Sequence, residues 1–290
     1  EVNSTEESVT VPAAADGTAG EASLSIALKG LTGLHPWSAE DPYLYNVEIS
    51  QHDSDNNEEM AFNTKYGFRN ITKNGNLVYI NNKRVFFKGV NTQDTHPEYG
   101  RAIDTATMLK DLTMMKQANI NTVRTSHYPR QPKMYAMMDA MGFYVMDEAD
   151  VECHYNWIKR SDHFSNDASW SAQFVDRATR MVLRDRNHPC VVFWSLGNES
   201  GDGVCFGDSY NAVKALDKVR PIHYEGTFNA GYGSGSGTDT GRHSDLFSDM
   251  YPTVSNVKAK ASGNGTANKP YFICEYAHAM GQAVGNLQEY

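Results

Sequence analysis

Short apolar segments alternate with amphipathic helical segments from about residue 85 to the end of the chain, and this rhythm restricts the fold more than any other feature. The apolar segments are four to six residues long, as expected for buried parallel strands. The segments between them carry apolar residues three or four apart, as Met108, Leu112 and Met115 do, which is typical of helices packed on a core. The alternation predicts a parallel α/β domain. The predicted strands are Val85–Val90, Ile120–Thr125, Phe143–Asp147, Val191–Ser195, Ile222–Glu225, Leu246–Tyr251 and Tyr271–Glu275.

Seven strands in this order indicate a (β/α)8 TIM barrel that stops before its eighth strand. A doubly wound open sheet is the competing architecture. It usually carries a G-x-G-x-x-G turn after its first strand, and no such turn follows Val85–Val90. The barrel is therefore the favoured interpretation. A barrel without its last strand has exposed strand edges, so we expect this chain alone to be unstable or to self-associate.

The first 69 residues have a different pattern. Strands are predicted around Leu24–Leu28, Leu44–Ile49 and Met60–Phe68, with polar turns and no helix between them. Such a pattern is typical of part of an immunoglobulin-like β-sandwich. We therefore predict a partial sandwich over residues 1–69 and an incomplete catalytic barrel over residues 70–290. The chain begins at Glu1 without a methionine, and we expect it to be a piece of a longer protein or a processed form.

Charge and composition exclude several classes of protein. The 26 basic and 35 acidic residues give a net charge of −9, which argues against a nucleic-acid-binding surface. No apolar run approaches the roughly 20 residues that span a bilayer. The four cysteines form no C-x-x-C pair, so neither a disulfide scaffold nor a cysteine zinc site is expected. The compartment stays open between cytoplasm and periplasm.

Ionisable residues follow the predicted strands, where TIM barrels place their catalytic groups. Glu199 lies just beyond the fourth predicted strand, and Glu275 ends the seventh. Two glutamates at one rim are what glycoside hydrolysis requires, because one carboxylic acid protonates the leaving oxygen while the other carboxylate attacks the sugar. Other polar residues at the same strand ends are Asp94, His127, Glu148, Glu152, His154 and Tyr251.

Several long motifs around these residues resemble glycoside hydrolase family 2, in its β-galactosidase branch. The resemblance covers roughly residues 30–290, with the motifs in the family's order. The motifs of the barrel are RTSHYP (Arg124–Pro129), DEADVECH (Asp147–His154), RDRNHP (Arg184–Pro189), WSLGNESGDG (Trp194–Gly203) and ICEYAHAMG (Ile273–Gly281). Two earlier strings, WSAEDPYLY (Trp37–Tyr45) and YGFRNI (Tyr66–Ile71), are similar to the end of the family's immunoglobulin-like domain.

The resemblance implies roles for the residues around the two glutamates. Glu199 matches the general acid/base and Glu275 the nucleophile. Tyr251 matches a tyrosine that hydrogen-bonds the nucleophile, and Arg124 an arginine close to it. Asn198 matches a residue that contacts the sugar 2-hydroxyl.

Further positions match sugar and metal ligands of the family. His127 and His278 match residues that bind sugar hydroxyls. Gln93 stands where many members carry a sugar-binding histidine, and its amide can still hydrogen-bond a hydroxyl. Glu152 and His154, together with Glu199, match a magnesium site. The sodium ligands of the full-length family enzymes have no counterpart in this chain.

The implied activity is removal of terminal non-reducing β-D-galactose by a retaining double displacement, with a lactose-like or oligosaccharide β-galactoside as substrate. A full-length protein of this type is expected to form a homo-oligomer. Two alternatives stay open. One is a β-glucuronidase-type specificity on the same machinery, and the other is an inactive fragment that serves as a sugar-binding or assembly module.

Overall fold

The computed structural model describes residues 3–13, 18–154, 164–227, 243–263, 265–266, 268–277 and 287–290. Two compact units divide the chain, Glu1–His35 and Pro36–Tyr290. The described part of the first unit contains neither strand nor helix. The strand predicted over Leu24–Leu28 is therefore wrong. Its apolar side chains are exposed, and alternation of residue types makes a strand only where a neighbouring strand pairs with it.

The second unit begins with small antiparallel sheets. Strands β1 (Tyr45–His52) and β2 (Glu58–Tyr66) form a hairpin. Strands β3 (Ile71–Asn74), β4 (Leu77–Ile80) and β5 (Lys83–Arg84) form a three-stranded sheet. Its second turn, between β4 and β5, contains Asn81 and Asn82. Both residues are left-handed, with φ values of 51° and 64°, and asparagine tolerates that conformation well.

Seven parallel strands follow among the described residues, alternating with helices, which confirms the barrel architecture. The strands are β6 (Gly89–Asn91), β7 (Thr122–Arg124), β8 (Tyr144–Glu148), β9 (Val191–Ser195), β10 (Ile222–His223), β11 (Phe247–Met250) and β12 (Tyr271–Glu275). The first five form one sheet in the order β10-β9-β8-β7-β6, and β11 pairs with β12. Asp245, just before β11, donates its peptide N–H to Ile222 O at 2.7 Å. Asn91 Nδ2 donates to Cys274 O at 3.0 Å, so a side chain links β6 to β12.

Five helices pack around these strands in the described residues. Helix α1 buries Met108 and Leu112, as its apolar spacing predicts. Helix α2 ends at Gly142, whose φ is 78° and where an added Cβ would lie 2.3 Å from Ala39 O, so only glycine fits there. None of the helices among the described residues is long and apolar enough to span a membrane. Their bounds are α1 (Thr105–Gln117), α2 (Pro132–Met141), α3 (Ser171–Asp185), α4 (Val204–Leu216) and α5 (Val254–Ala261).

Candidate active site

The carboxyl ends of four barrel strands bring the predicted site residues together. Arg124 ends β7, Glu148 ends β8 and Glu275 ends β12, while Asn198 and Glu199 follow β9. Parallel pairing of β7, β8 and β9 places their ends at one rim, and the hydrogen bond from Asn91 to Cys274 O brings the end of β12 to the same rim. The rim is the location that the sequence predicts for catalysis.

Arg124 connects three of these segments. Its guanidinium is almost fully buried, and Nη1 donates to Glu275 Oε1 at 3.3 Å and to Cys274 O at 3.3 Å. Nη2 donates to Asn198 Oδ1 at 2.8 Å, and Nε donates to Glu148 Oε2 at 2.7 Å. The pKa of Arg124 is raised because the charges of Glu148, Cys274 and Glu275 outweigh the effect of burial. Arg124 therefore supplies a permanent positive charge beside Glu275.

Glu275 is held on its other oxygen by Tyr251. The Tyr251 hydroxyl donates to Glu275 Oε2, and the Tyr251 peptide N–H donates to Glu275 O at 2.8 Å. Burial and the neighbouring carboxylate raise the pKa of Tyr251, so its hydroxyl stays protonated and acts as a donor. A carboxylate with a cation on one oxygen and a phenol on the other is oriented as an ionised nucleophile should be.

Glu199 has the opposite electrostatic environment. Burial raises its pKa, His154 lowers it, and the carboxylates of Glu275 and Glu152 raise it further, with a net upward shift. His154 Nε2 lies 3.1 Å from Glu199 Oε2. The two predicted catalytic carboxyls therefore differ in the way that an acid and a nucleophile must differ.

His127 and Asn198 surround the same space. His127 Nδ1 lies 2.7 Å from Glu148 Oε1, and its Nε2 lies 3.8 Å from Glu275 Oε1. Asn198 accepts from Arg124 and donates through Nδ2 to Glu152 Oε1 at 3.1 Å. Both side chains lie beside the carboxylates, with His127 partly exposed and Asn198 buried.

Of the remaining predicted sugar ligands, only Gln93 lies among the described residues, and the structure does not bring it into this group. Gln93 is exposed, and its side chain makes no hydrogen bond to another described residue. Its neighbour Asp94 is buried, with Oδ1 3.4 Å from Arg130 Nε. His278 lies outside the described residues. The sugar-binding roles of both stay predictions.

The predicted magnesium ligands do not converge. His154 faces Glu199, whereas Glu152 Oε1 accepts from Asn198 and its Oε2 lies 3.9 Å from His127 Nε2. Across the described ranges, no three His, Cys, Asp or Glu side chains are grouped to hold a metal ion. The donor types suit a hard cation, but their placement in this structure does not fit one.

Two buried acids of the site carry roles that sequence reasoning did not assign. Glu148 binds both Arg124 and His127. Glu225, which follows β10, accepts the peptide N–H of Glu199 at 2.5 Å, and burial raises its pKa to about 8. The available signal was their position at the carboxyl ends of predicted strands. That position gives no indication of which way an acidic side chain points.

Comparisons with known proteins agree with this site. The sequence profile described as "Glycosyl hydrolases family 2, TIM barrel domain" matches residues 71–290, and the one described as "Glycosyl hydrolases family 2" matches residues 1–69. A β-galactosidase of Kluyveromyces lactis is 38% identical over 280 residues, which cover 88% of this chain and 26% of that protein. A β-galactosidase of Yersinia enterocolitica is 40% identical over 268 residues, which cover 88% of this chain and 24% of that protein. The chain thus spans about a quarter of the length of these relatives.

Solved structures share the fold at lower identity. The β-D-glucuronidase of Dictyoglomus thermophilum superposes with a TM-score of 0.72 at 23% identity, over 86% of this chain and 46% of that one. A β-glucuronidase of Ruminococcus gnavus gives a TM-score of 0.72 at 20% identity, over 85% of this chain and 45% of that one. These likenesses establish the fold alone.

Proposed function

The chain belongs to glycosyl hydrolase family 2, and from that premise we propose that it carries the catalytic machinery of a retaining β-galactosidase. The substrate would be a β-D-galactoside with galactose at its non-reducing end. The proposal rests on the curated relatives and on the electrostatic difference between Glu199 and Glu275.

In the first step Glu275 attacks the anomeric carbon while Glu199 donates its proton to the glycosidic oxygen. The bond from the anomeric carbon to that oxygen breaks, its electron pair stays on the leaving alcohol, and a galactosyl ester forms on Glu275. In the second step Glu199, now a carboxylate, takes a proton from water. The resulting hydroxide equivalent attacks the anomeric carbon and releases Glu275, so the galactose leaves with its configuration retained.

One observation carries this assignment: the two carboxyls share a rim but not an environment. Glu275 has Arg124 and Tyr251 on its two oxygens, and this cation and this hydroxyl donor hold the carboxylate in position for attack. Glu199 is half-buried with a raised pKa, which favours the protonated form needed to assist departure.

Substitution of each carboxyl tests the assignment. Glu275→Gln should abolish turnover of every galactoside. Glu199→Gln should lower kcat/KM strongly for lactose but spare kcat/KM for a galactoside whose leaving group is already acidic, such as dinitrophenol, because kcat/KM reports the first step alone. Glu98→Gln, on an exposed loop after β6, is the matched control and should behave as wild type. Equal losses on both substrates in Glu199→Gln would contradict the acid role.

A substrate panel tests the sugar specificity. Nitrophenyl β-galactoside and nitrophenyl β-glucuronide differ in the configuration of the 4-hydroxyl and in the carboxylate at C6, so their turnover compares galactosidase with glucuronidase specificity. Turnover of the glucuronide alone would overturn the galactosidase proposal and leave the two-glutamate mechanism standing. Binding of galactose without turnover of either substrate would favour the sugar-binding module.

Magnesium binding and homo-oligomer formation are proposed on the resemblance. Titration of metal-free protein with MgCl2 in a calorimeter tests the first. Glu152→Gln should weaken any binding that uses Glu152, His154 and Glu199. Light scattering of the full-length protein tests the second.

A further inference from the structure

Glu148 is a fully buried carboxylate that binds both basic side chains facing Glu275. Its Oε2 lies 2.7 Å from Arg124 Nε, and its Oε1 lies 2.7 Å from His127 Nδ1. Arg124 in turn reaches Glu275 Oε1 at 3.3 Å, while His127 Nε2 lies 3.8 Å from the same oxygen. One side chain thus orients both neighbours of the proposed nucleophile without touching it.

A chain of hydrogen bonds fixes Glu148 from the barrel interior. Ser195 Oγ donates to Glu148 Oε2 at 2.6 Å and lies 2.8 Å from His223 Nδ1. His223 Nε2 lies 2.9 Å from Ser248 Oγ. All these side chains are buried. Glu148 also donates its peptide N–H to Thr125 Oγ1 at 2.9 Å, so its main chain is fixed as well.

In this series of hydrogen bonds, the donor and the acceptor of each bond are determined. An ionised carboxylate can only accept, so Ser195 gives its proton to Glu148 and must itself accept from His223 Nδ1. His223 Nε2 then accepts from the Ser248 hydroxyl. The chain therefore runs from Ser248 through His223 and Ser195 and ends on Glu148.

The same rule determines the protonation of His127. The ring nitrogen that faces Glu148 is Nδ1, and it must carry the proton because the carboxylate has none to give. The other ring nitrogen, Nε2, points toward Glu275 Oε1 and Glu152 Oε2, at 3.8 Å and 3.9 Å.

We infer that Glu148 is the positioning residue of this site: it holds Arg124 against the nucleophile and fixes the His127 ring through Nδ1, so that Nε2 is directed toward Glu275. The inference rests on the proposed galactosidase function for its kinetic consequence and on the geometry alone for the state of His127.

Glu148→Gln is the informative substitution because it preserves shape but not acceptor capacity. The carboxylate accepts on both oxygens, from Arg124 and Ser195 on one and from His127 on the other. A glutamine has a single acceptor oxygen, and its amide group can only donate. If the amide N–H faces His127, the ring must shift its proton to Nε2 or move; if it faces Arg124, which has no acceptor, Arg124 must move.

Kinetics give the first readout. Displacement of a catalytic group by about 1 Å costs on the order of 100-fold, so we expect kcat/KM of Glu148→Gln to fall about 100-fold on activated and unactivated galactosides alike. The melting temperature, measured on the same sample, reports the folded fraction. Asp176→Asn, which removes an exposed carboxylate on α3, should leave both values unchanged. A folded Glu148→Gln protein with kcat and KM within twofold of wild type would overturn the inference.

If Glu148→Gln does not fold, Ser195→Ala tests the same inference. It removes one donor to Glu148 and keeps the carboxylate, and we expect a loss of several-fold in kcat with little change in melting temperature. Unchanged kcat in that variant would overturn the inference.

Imidazole 15N NMR gives a readout that does not depend on activity. The His127 signal, assigned with His127→Gln, should show a protonated Nδ1 in wild type and a changed protonation pattern in Glu148→Gln. A wild-type His127 protonated at Nε2 only would overturn the inference even in an active enzyme. A wild-type protein that turns over no galactoside but shows the expected His127 signal would contradict the proposed function and leave the positioning role intact.

Discussion

The peptide N–H of Glu199 donates to Glu225 Oε1 at 2.5 Å. Glu199 has a φ of 39°, a left-handed conformation that costs a residue other than glycine about 1–3 kcal/mol. Glu225 is fully buried behind it and offers the acceptor that this peptide group needs. The proposed acid is thus held in an unfavourable backbone conformation by a second carboxyl group.

Glu225→Ala should therefore weaken both stability and acid catalysis. Loss of the acceptor leaves a buried N–H unpaired, which costs about 1–3 kcal/mol, and urea unfolding measures that loss. Turnover of lactose should fall more than turnover of a dinitrophenyl galactoside, because only the poor leaving group needs the proton of Glu199. Glu225→Gln keeps an acceptor oxygen and should lie closer to wild type. Equal losses on both substrates in Glu225→Ala would contradict a role through Glu199.

Tyr251→Phe should reduce catalysis with little effect on folding. The hydroxyl donates to Glu275 Oε2, and a hydrogen bond to a charged group is worth about 1.5–3 kcal/mol. We expect kcat to fall about 10- to 100-fold on nitrophenyl β-galactoside, with an unchanged circular dichroism spectrum. Tyr99→Phe, at an exposed position, is the control. A Tyr251→Phe enzyme with wild-type kcat would show that Arg124 alone suffices to orient Glu275.

The barrel could be predicted from sequence because its strands are buried. Val191–Ser195 and Tyr271–Glu275 are found with the bounds expected from their apolar residues. The segment Leu24–Leu28 also alternates, but its residues lie in coil. Alternation shows that a segment could pair, whereas the partner strand decides whether it does.

The site was predictable to the level of strand ends and no further. Sequence reasoning placed Glu199, Glu275 and Arg124 at one rim, and the structure brings Arg124 to Glu275. The roles of Glu148 and Glu225 depend on side-chain direction inside the barrel. That direction follows from the register between neighbouring strands, which no single segment of sequence determines.

Acid should destabilise the protein partly through Glu148. Burial alone would raise the pKa of this group, but the Arg124 charge and the hydrogen bond from His127 outweigh burial and lower the pKa to about 2, from 4.5 in an exposed glutamate. A carboxyl whose folded pKa is depressed contributes stability above the unfolded value, and that stability is lost as the pH falls from 4.5 toward 2. The gap in urea midpoint between wild type and Glu148→Gln should therefore shrink over this range. Parallel curves for the two proteins would contradict the depressed pKa.

His223 should act in the same direction over a wider and higher range. Burial, helped by the charge of Arg124, lowers its pKa from 6.5 to about 3. The unfolded chain therefore takes up a proton near pH 6.5, while the folded protein resists protonation until about pH 3. Stability from the neutral imidazole is present above pH 6.5 and falls by about 1.4 kcal/mol per pH unit below it.

His223→Gln should be less stable than wild type at pH 7, and the difference in the free energy of unfolding should narrow steadily as the pH falls to 4. His52→Gln, on an exposed hairpin, should show no such narrowing. A constant difference for His223→Gln across this range would mean that the imidazole is already protonated in the folded protein, which would also break the direction of the Ser248–His223–Ser195 chain.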